Sequence, residues 1–231
     1  MGTSIALIAI HSVFIVLIQR GKYSAALAPT RRPAREYLEV ALVIIGLLIV
    51  PFIKFNLFWF SGWISAYLAF LLIAPPIMEW IVRRRSLSAI GFRMPQNKRA
   101  LAWVAVLLAL YLVARLAWPI AQGRGYQFNL QTFVSNSLLF ALLEEAMFRG
   151  VIQTRLESAL GAARSWVVSG LVFGFYHYYV HYLVPGKAAA SVDILSVASL
   201  TVLGMLLGVV FAKTRSLLPS FLIHALHNLA L

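Results

Sequence analysis

Residues 101–121 read LAWVAVLLALYLVARLAWPIA, 21 residues with a single charged side chain, Arg115. A helix that crosses a bilayer needs roughly 20 mostly apolar residues, so this stretch has the length and character of a transmembrane span. Outward from it, similar runs occupy 3–19, 37–53, 57–82, 129–148, 164–184, 191–212 and 216–231. The composition agrees: 61% of the 231 residues are hydrophobic and 12% are charged, whereas soluble domains are about half apolar and a quarter charged. The expected fold is all-α, a polytopic membrane protein built as a bundle of about eight transmembrane helices, with 1–231 as one integral membrane domain.

The net charge is +13. The basic residues cluster between apolar runs and are not interleaved with exposed aromatics on a soluble face. That pattern indicates topology and contact with anionic lipid, and it speaks against nucleic acid as a partner. Sixteen of the twenty Lys and Arg residues fall in alternate connections, those containing Arg20 to Arg35, Arg83 to Arg99, Arg149 to Arg164, and Lys213 with Arg215. The opposite side carries Lys54, Arg115, Arg124 and Lys187. The positive-inside rule places the basic connections in the cytoplasm and both termini outside. In the first run, Ile5 to Ile18, the nearest basic residue is Arg20, after the apolar stretch. A signal peptide has its charge before the run, so despite Ala26-Leu27-Ala28 this segment is expected to be a retained span. The chain has no cysteine, which removes disulfides, thiolate nucleophiles and Cys-type zinc sites.

Ionisable groups inside spans are costly and mark candidate function. Of seven acids, Glu36, Glu39, Glu79 and Glu157 lie near predicted span ends or on 150–163, which reads as a short amphipathic helix along the cytoplasmic face. Glu79 has Arg83 as its i,i+4 neighbour. Glu144 and Glu145 instead follow the apolar run Leu138-Leu139-Phe140-Ala141-Leu142-Leu143. Adjacent residues on a helix point about 100° apart, so the two carboxylates face different surroundings. Glu145 and Arg149 have ion-pair spacing. Glu144 has no local cation, which suits a general base or acid. His224 and Asn228, also i,i+4, share one helix face and are placed to donate toward one point. His177 lies in the sixth run with His181 one turn on, and His227 precedes Asn228. His181 and His227 are expected to be interhelical hydrogen-bonding contacts, and His11 to be structural. Gly170 with Gly174, and Gly204 with Gly208, have the spacing that lets helices approach closely.

These residues resemble the motifs of the intramembrane CAAX-processing and bacteriocin-processing proteases, the CPBP or ABI family. Glu144-Glu145-Ala146-Met147-Phe148-Arg149 is similar to EExxxR, Phe173 to His177 to FxxxH, and His224 to Asn228 to HxxxN. The resemblance covers about 85–231 and implies an eight-span helical bundle like that of the Ras-converting CAAX endopeptidase. It also implies a glutamate-dependent endopeptidase with Glu144, His177, His224 and Asn228 as catalytic residues. Glu144 would deprotonate water that His177 positions, and His224 and Asn228 would donate to the oxyanion. Glu145, Arg149 and Phe173 would hold the site's shape. The implied substrate is a peptide or protein, including a lipidated or membrane-anchored C-terminal tail, reached from the cytoplasmic side of the cell membrane.

No metal or other cofactor is expected, but one Glu and two His also form a zinc set, so a zinc-dependent membrane protease stays open beside the glutamic one. A non-catalytic scaffold or immunity protein of the same fold also stays open. A transporter is disfavoured by the lack of internal repeat. The topology has a direct test. A cysteine introduced between Arg83 and Lys98 should be shielded from an impermeant thiol reagent in intact cells, and one at Gly186 should react; the opposite pattern would invert the orientation.

Overall fold

In a computed structural model, the described residues are 2–20, 32–54, 62–123, 129–184 and 193–229, and among them all regular structure is helical. Lys22, Arg31, Ala26-Leu27-Ala28, Arg124, Gly186 and Lys187 lie outside the described residues.

Helix α1 is Gly2–Gln19 and α2 is Pro33–Ile49, with a 3₁₀ turn at Val50–Phe52. Helix α3 is Trp63–Pro76 and continues as π-helical turns over Ile77–Val82; α4 is Lys98–Ala121. Helix α5 is unbroken through Leu130–Thr132, Phe133–Phe140, Ala141–Glu145, Ala146–Gln153 and Thr154–Leu160, alternating α and π turns. Helix α6 is Ala162–Tyr178 with π turns at Tyr179–Leu183, α7 is Ile194–Thr214, and α8 is Leu217–His227. Asp193 caps α7 by accepting the N–H groups of Leu195 and Ser196.

Among the described residues, three helices are long and apolar enough to cross a membrane: Ile64–Val82, Lys98–Ala117 and Ile194–Thr214. Ser4–Gln19 and Leu217–His227 are apolar but shorter. Helix α5 carries Glu144, Glu145, Arg149, Arg155 and Glu157, all buried. Its charge therefore faces protein. Conversely, Val106, Leu110, Val113 and Leu116 on α4 are exposed. Apolar residues outside and charges inside reverse the order of a soluble bundle, and they fit a lipid surround.

Helices α6 and α7 pack most closely, through the glycines singled out by spacing. A Cβ on Gly170 would lie 2.6 Å from the Met205 backbone nitrogen, and one on Gly204 3.0 Å from the Gly170 carbonyl oxygen. One buried cluster joins α2, α3, α5 and α6 around Leu71, Phe148, Val151 and Phe173. A second joins α1, α4, α7 and α8 around Leu107, Leu203, Leu207 and Ile223.

Two local expectations are corrected. Residues 150–163 are not a separate amphipathic helix. They continue α5 into the protein, with Gln153, Arg155 and Glu157 buried, until Gly161 ends the helix at φ 81°. Arg149 and Arg155 are thus helix residues and not part of a basic loop. Glu79 does not pair with Arg83. Its partner is Arg155, while Arg83 reaches Glu36 at 2.7 Å and Glu39 at 2.8 Å. Glu39 also meets Arg35 and Arg155. These charges are buried because each finds an opposite across helices, a constraint that i,i+4 spacing cannot reveal.

The polar connection after α3 is an ordered strap. Ile90, at its 3₁₀ turn Leu87–Ile90, seats against Gly150. Gly91 then turns at φ 97° and its carbonyl accepts the Leu217 N–H at 2.9 Å. Gln96 N–H donates to the Thr214 carbonyl at 3.0 Å, and Arg93 Nε donates to the Arg215 carbonyl at 2.6 Å. Helices α5, α7 and α8 are thereby tied at one end.

The close α6–α7 approach sets an expectation. Gly170→Ala meets backbone, which cannot yield, whereas at Gly46 an added Cβ meets the end of the Phe70 ring. Gly170→Ala should lower the detergent-solubilised Tm more than Gly46→Ala, and equal effects would argue against glycine-mediated contact.

Candidate active site

The α-helical turn Ala141–Glu145 lies between two π-helical stretches of α5 and carries both glutamates. π turns within α-helices occur often at functional sites. Glu144 has no i,i+4 cation, but it has partners across helices. Tyr67 of α3 donates its hydroxyl to Glu144 Oε1 at 2.8 Å, and His224 Nε2 lies 3.6 Å from Oε2. These neighbours come from α3 and α8, which local spacing does not report.

Glu145 is fully buried and lies between His224 and Arg149. His224 Nδ1 is 3.0 Å from its Oε1, and Arg149 Nε is 3.4 Å from its Oε2. Arg149 also donates to the Gly204 carbonyl at 3.1 Å, and its guanidinium carbon lies 4.8 Å from the centre of the Phe173 ring. A guanidinium accepts such a face well, because it is planar and weakly hydrated. Phe173 further places its ring 4.3 Å from that of His177 and 5.6 Å from that of His224, edge-on to the latter. One phenylalanine thus touches all three motifs.

His177 Nδ1 lies 2.9 Å from the Phe173 carbonyl oxygen. A carbonyl only accepts, so Nδ1 carries the proton and a neutral His177 presents Nε2 as an acceptor. Asn228 ends α8, and its Nδ2 donates to the Asn136 carbonyl at 3.3 Å. An amide nitrogen has two N–H groups, and this bond uses one.

Glu144, His177 and Asn228 line one cavity of about 420 Å³, together with Tyr67, Asn136 and Tyr176. The structure brings these three expected site residues to a common space. His224 stands behind Glu144, 2% exposed and between the two glutamates. His181 also lines the cavity, with its ring 5.9 Å from that of His177. His227 Nδ1 is 3.3 Å from the Tyr111 hydroxyl, which also bonds His11, and Arg115 donates to the His227 carbonyl. His11 and His227 are therefore helix contacts, joining α1, α4 and the end of α8. Sequence reasoning missed Tyr67 and Tyr176. The available signal was a phenol within an apolar run, since such groups seek a polar partner when buried. Among the described residues no group of three or more His, Asp or Glu side chains is arranged to hold a metal ion.

The buried Glu145–Arg149 pair has a measurable consequence. Removing one partner of a buried ion pair costs about 3–5 kcal/mol, because a charge is left uncompensated. Arg149→Ala should therefore lower folded yield and Tm in detergent as well as any activity. Unchanged thermal stability would exclude this pair as a support of the bundle.

No curated protein and no solved structure matches the chain. Residues 126–230, which hold α5 to α8 and every motif residue of the site, match the family described as Type II CAAX prenyl endopeptidase Rce1-like, the same protease family that the motifs resemble.

Proposed function

We propose that the protein is an intramembrane endopeptidase that cuts a peptide or protein tail with water activated by Glu144. The observation that carries this reading is one cavity lined by Glu144, His177 and Asn228, with an acceptor nitrogen of His177 available to water. Water loses a proton to Glu144 as its oxygen attacks the scissile carbonyl carbon. The His177 Nε2 accepts the water's second O–H bond and so aims its lone pair. The second N–H of Asn228 donates to the carbonyl oxygen as it becomes an oxyanion, with His224 Nε2 as the other donor. Glu144 then passes its proton to the departing amine. Donors fixed in place before the reaction are often the largest catalytic contribution. Glu145 and Arg149 hold His224 and α5, and Phe173 spaces the three motifs.

In this reading the chain is one integral domain of eight spans in the cell membrane. Both termini are outside, and the site opens toward the cytoplasm. The substrate class is a lipidated or membrane-anchored C-terminal tail. The family match over 126–230 supports a CAAX-type protease, and the basic connections support the orientation. Base, water and oxyanion donors are assigned without a metal, and the zinc alternative is separable by experiment.

Purified protein should cleave a peptide ending in a prenylated tail, and a chelator should leave the rate unchanged. Loss of a general base costs about 10²–10⁴-fold, so Glu144→Gln should abolish detectable cleavage while peptide binding and Tm persist. His224→Ala and Asn228→Ala should each lower the rate by roughly 10²–10³-fold. These losses should not add, because the groups act as one unit. Wild-type turnover by Glu144→Gln would eliminate the glutamic mechanism, and inactivation by chelator reversed by zinc would replace it with a metalloprotease.

A further inference from the structure

A base must present one oxygen to water at a fixed distance and tilt. The terminal torsion of a glutamate is broad and two-fold, so an unheld carboxylate offers either oxygen over a wide range of angles. Productive geometry needs positions within roughly 0.5 Å and 10–20°. Among the described residues, the one hydrogen bond Glu144 accepts comes from Tyr67, at 2.8 Å. The other neighbour, His224 Nε2 at 3.6 Å, is beyond ordinary hydrogen-bond reach.

Tyr67 is itself held. Its ring stacks on Phe140 at 6.0 Å with planes 12° apart, and lies 5.4 Å from the Tyr176 ring. It is 4% exposed, with Leu68 and Leu71 fully buried beside it on α3. The phenol is therefore rigid, and it is aimed at the carboxylate from outside 126–230, the segment that matches the protease family.

The geometry points to Tyr67 as a positioning residue for the base: its O–H occupies Glu144 Oε1 and leaves Oε2 to take the proton from water. This inference rests on the reading of Glu144 as the base. A carboxylate can only accept and the phenol here can only donate to it, so the bond's direction is fixed. Helix α3 thus takes part in the site. The motif segment supplies the reacting groups, and α3 selects which oxygen of Glu144 works.

Tyr67→Phe removes one oxygen atom and keeps every ring contact. Misplacement of a reacting group by about 1 Å can cost 10²-fold, so kcat should fall roughly 10–100-fold, with KM held within about twofold and Tm unchanged. An independent readout is the infrared carboxylate band of Glu144, identified as the wild-type minus Glu144→Gln difference. That band should shift in Tyr67→Phe, whether or not a substrate has been found. A shifted band with a selective kcat loss supports the assignment. Unchanged kcat, an unmoved band, or a kcat loss accompanied by a fall in Tm would each overturn it, while an inactive Glu144→Gln leaves the base reading standing. If Glu144→Gln turns over like wild type, the base reading fails, and the assignment of Tyr67 falls with it.

Discussion

Glu145 is the constraint around which the bundle is arranged. A carboxylate with no exposed surface, in a helix surrounded by apolar residues, is stable only if an opposite charge or a hydrogen-bond donor reaches each oxygen. Arg149 covers one oxygen from the next turn of the same helix, and His224 covers the other from α8. Arg149 then needs partners of its own. It finds the Gly204 carbonyl on α7 and the Phe173 face on α6. A single buried charge thereby fixes four helices relative to one another, and the orientation of the His224 ring follows from it. Glu144, one residue earlier and about 100° round the helix, is turned away from that network and into the cavity.

The remaining helices hold these four in place. Arg115 of α4 satisfies the His227 carbonyl at the end of α8, where helix carbonyls lack partners, and Tyr111 joins His227 to His11 of α1. Both contacts lie within one residue of Asn228. At the opposite end, the strap from Leu87 to Gln96 holds the α7–α8 turn, where Arg215 takes φ 56° and pairs through its guanidinium with Glu157 of α5. Both ends of α8 are therefore anchored by residues outside the three motifs.

The helical class was legible because apolar runs and bilayer length constrain each other directly. Among the described residues, eight helices lie where eight runs were read, and three of them are long and apolar enough to cross a membrane. Helix α5 was the least legible. Its run was read as ending near 148, because Arg149, Arg155 and Glu157 resemble a water-facing segment in sequence. They are buried, because opposite charges on α2, α3, α5 and the α7–α8 turn neutralise them and groups on α6 and α7 add contacts to Arg149. The Glu145–Arg149 pair was legible because both members share one helix. The tie between Tyr67 and Glu144 was not, because 77 residues separate them and no local pattern encodes their approach. The Glu79–Arg83 pairing failed for the same reason: several acids and bases compete within reach, and tertiary geometry chooses among them.

The hydrolysis proposed for this site requires water and apolar packing within a few ångströms of each other. The cavity meets this by an uneven lining. Glu144, Asn136, Asn228, His177, His181 and the two tyrosines offer polar atoms, while Ile64, Phe140, Val180 and Leu200 are apolar. Water is retained where it has two to four polar partners, so the apolar side is the part that a hydrophobic substrate segment can occupy without displacing the reacting water. Ile64 and Tyr67 lie three residues apart on α3, hence on neighbouring positions of one helix face. That face presents the apolar wall and the donor to Glu144 together. In the proposed function, the helix that donates to Glu144 is therefore also one against which a substrate tail packs, so α3 bears on the carboxylate and on the tail together.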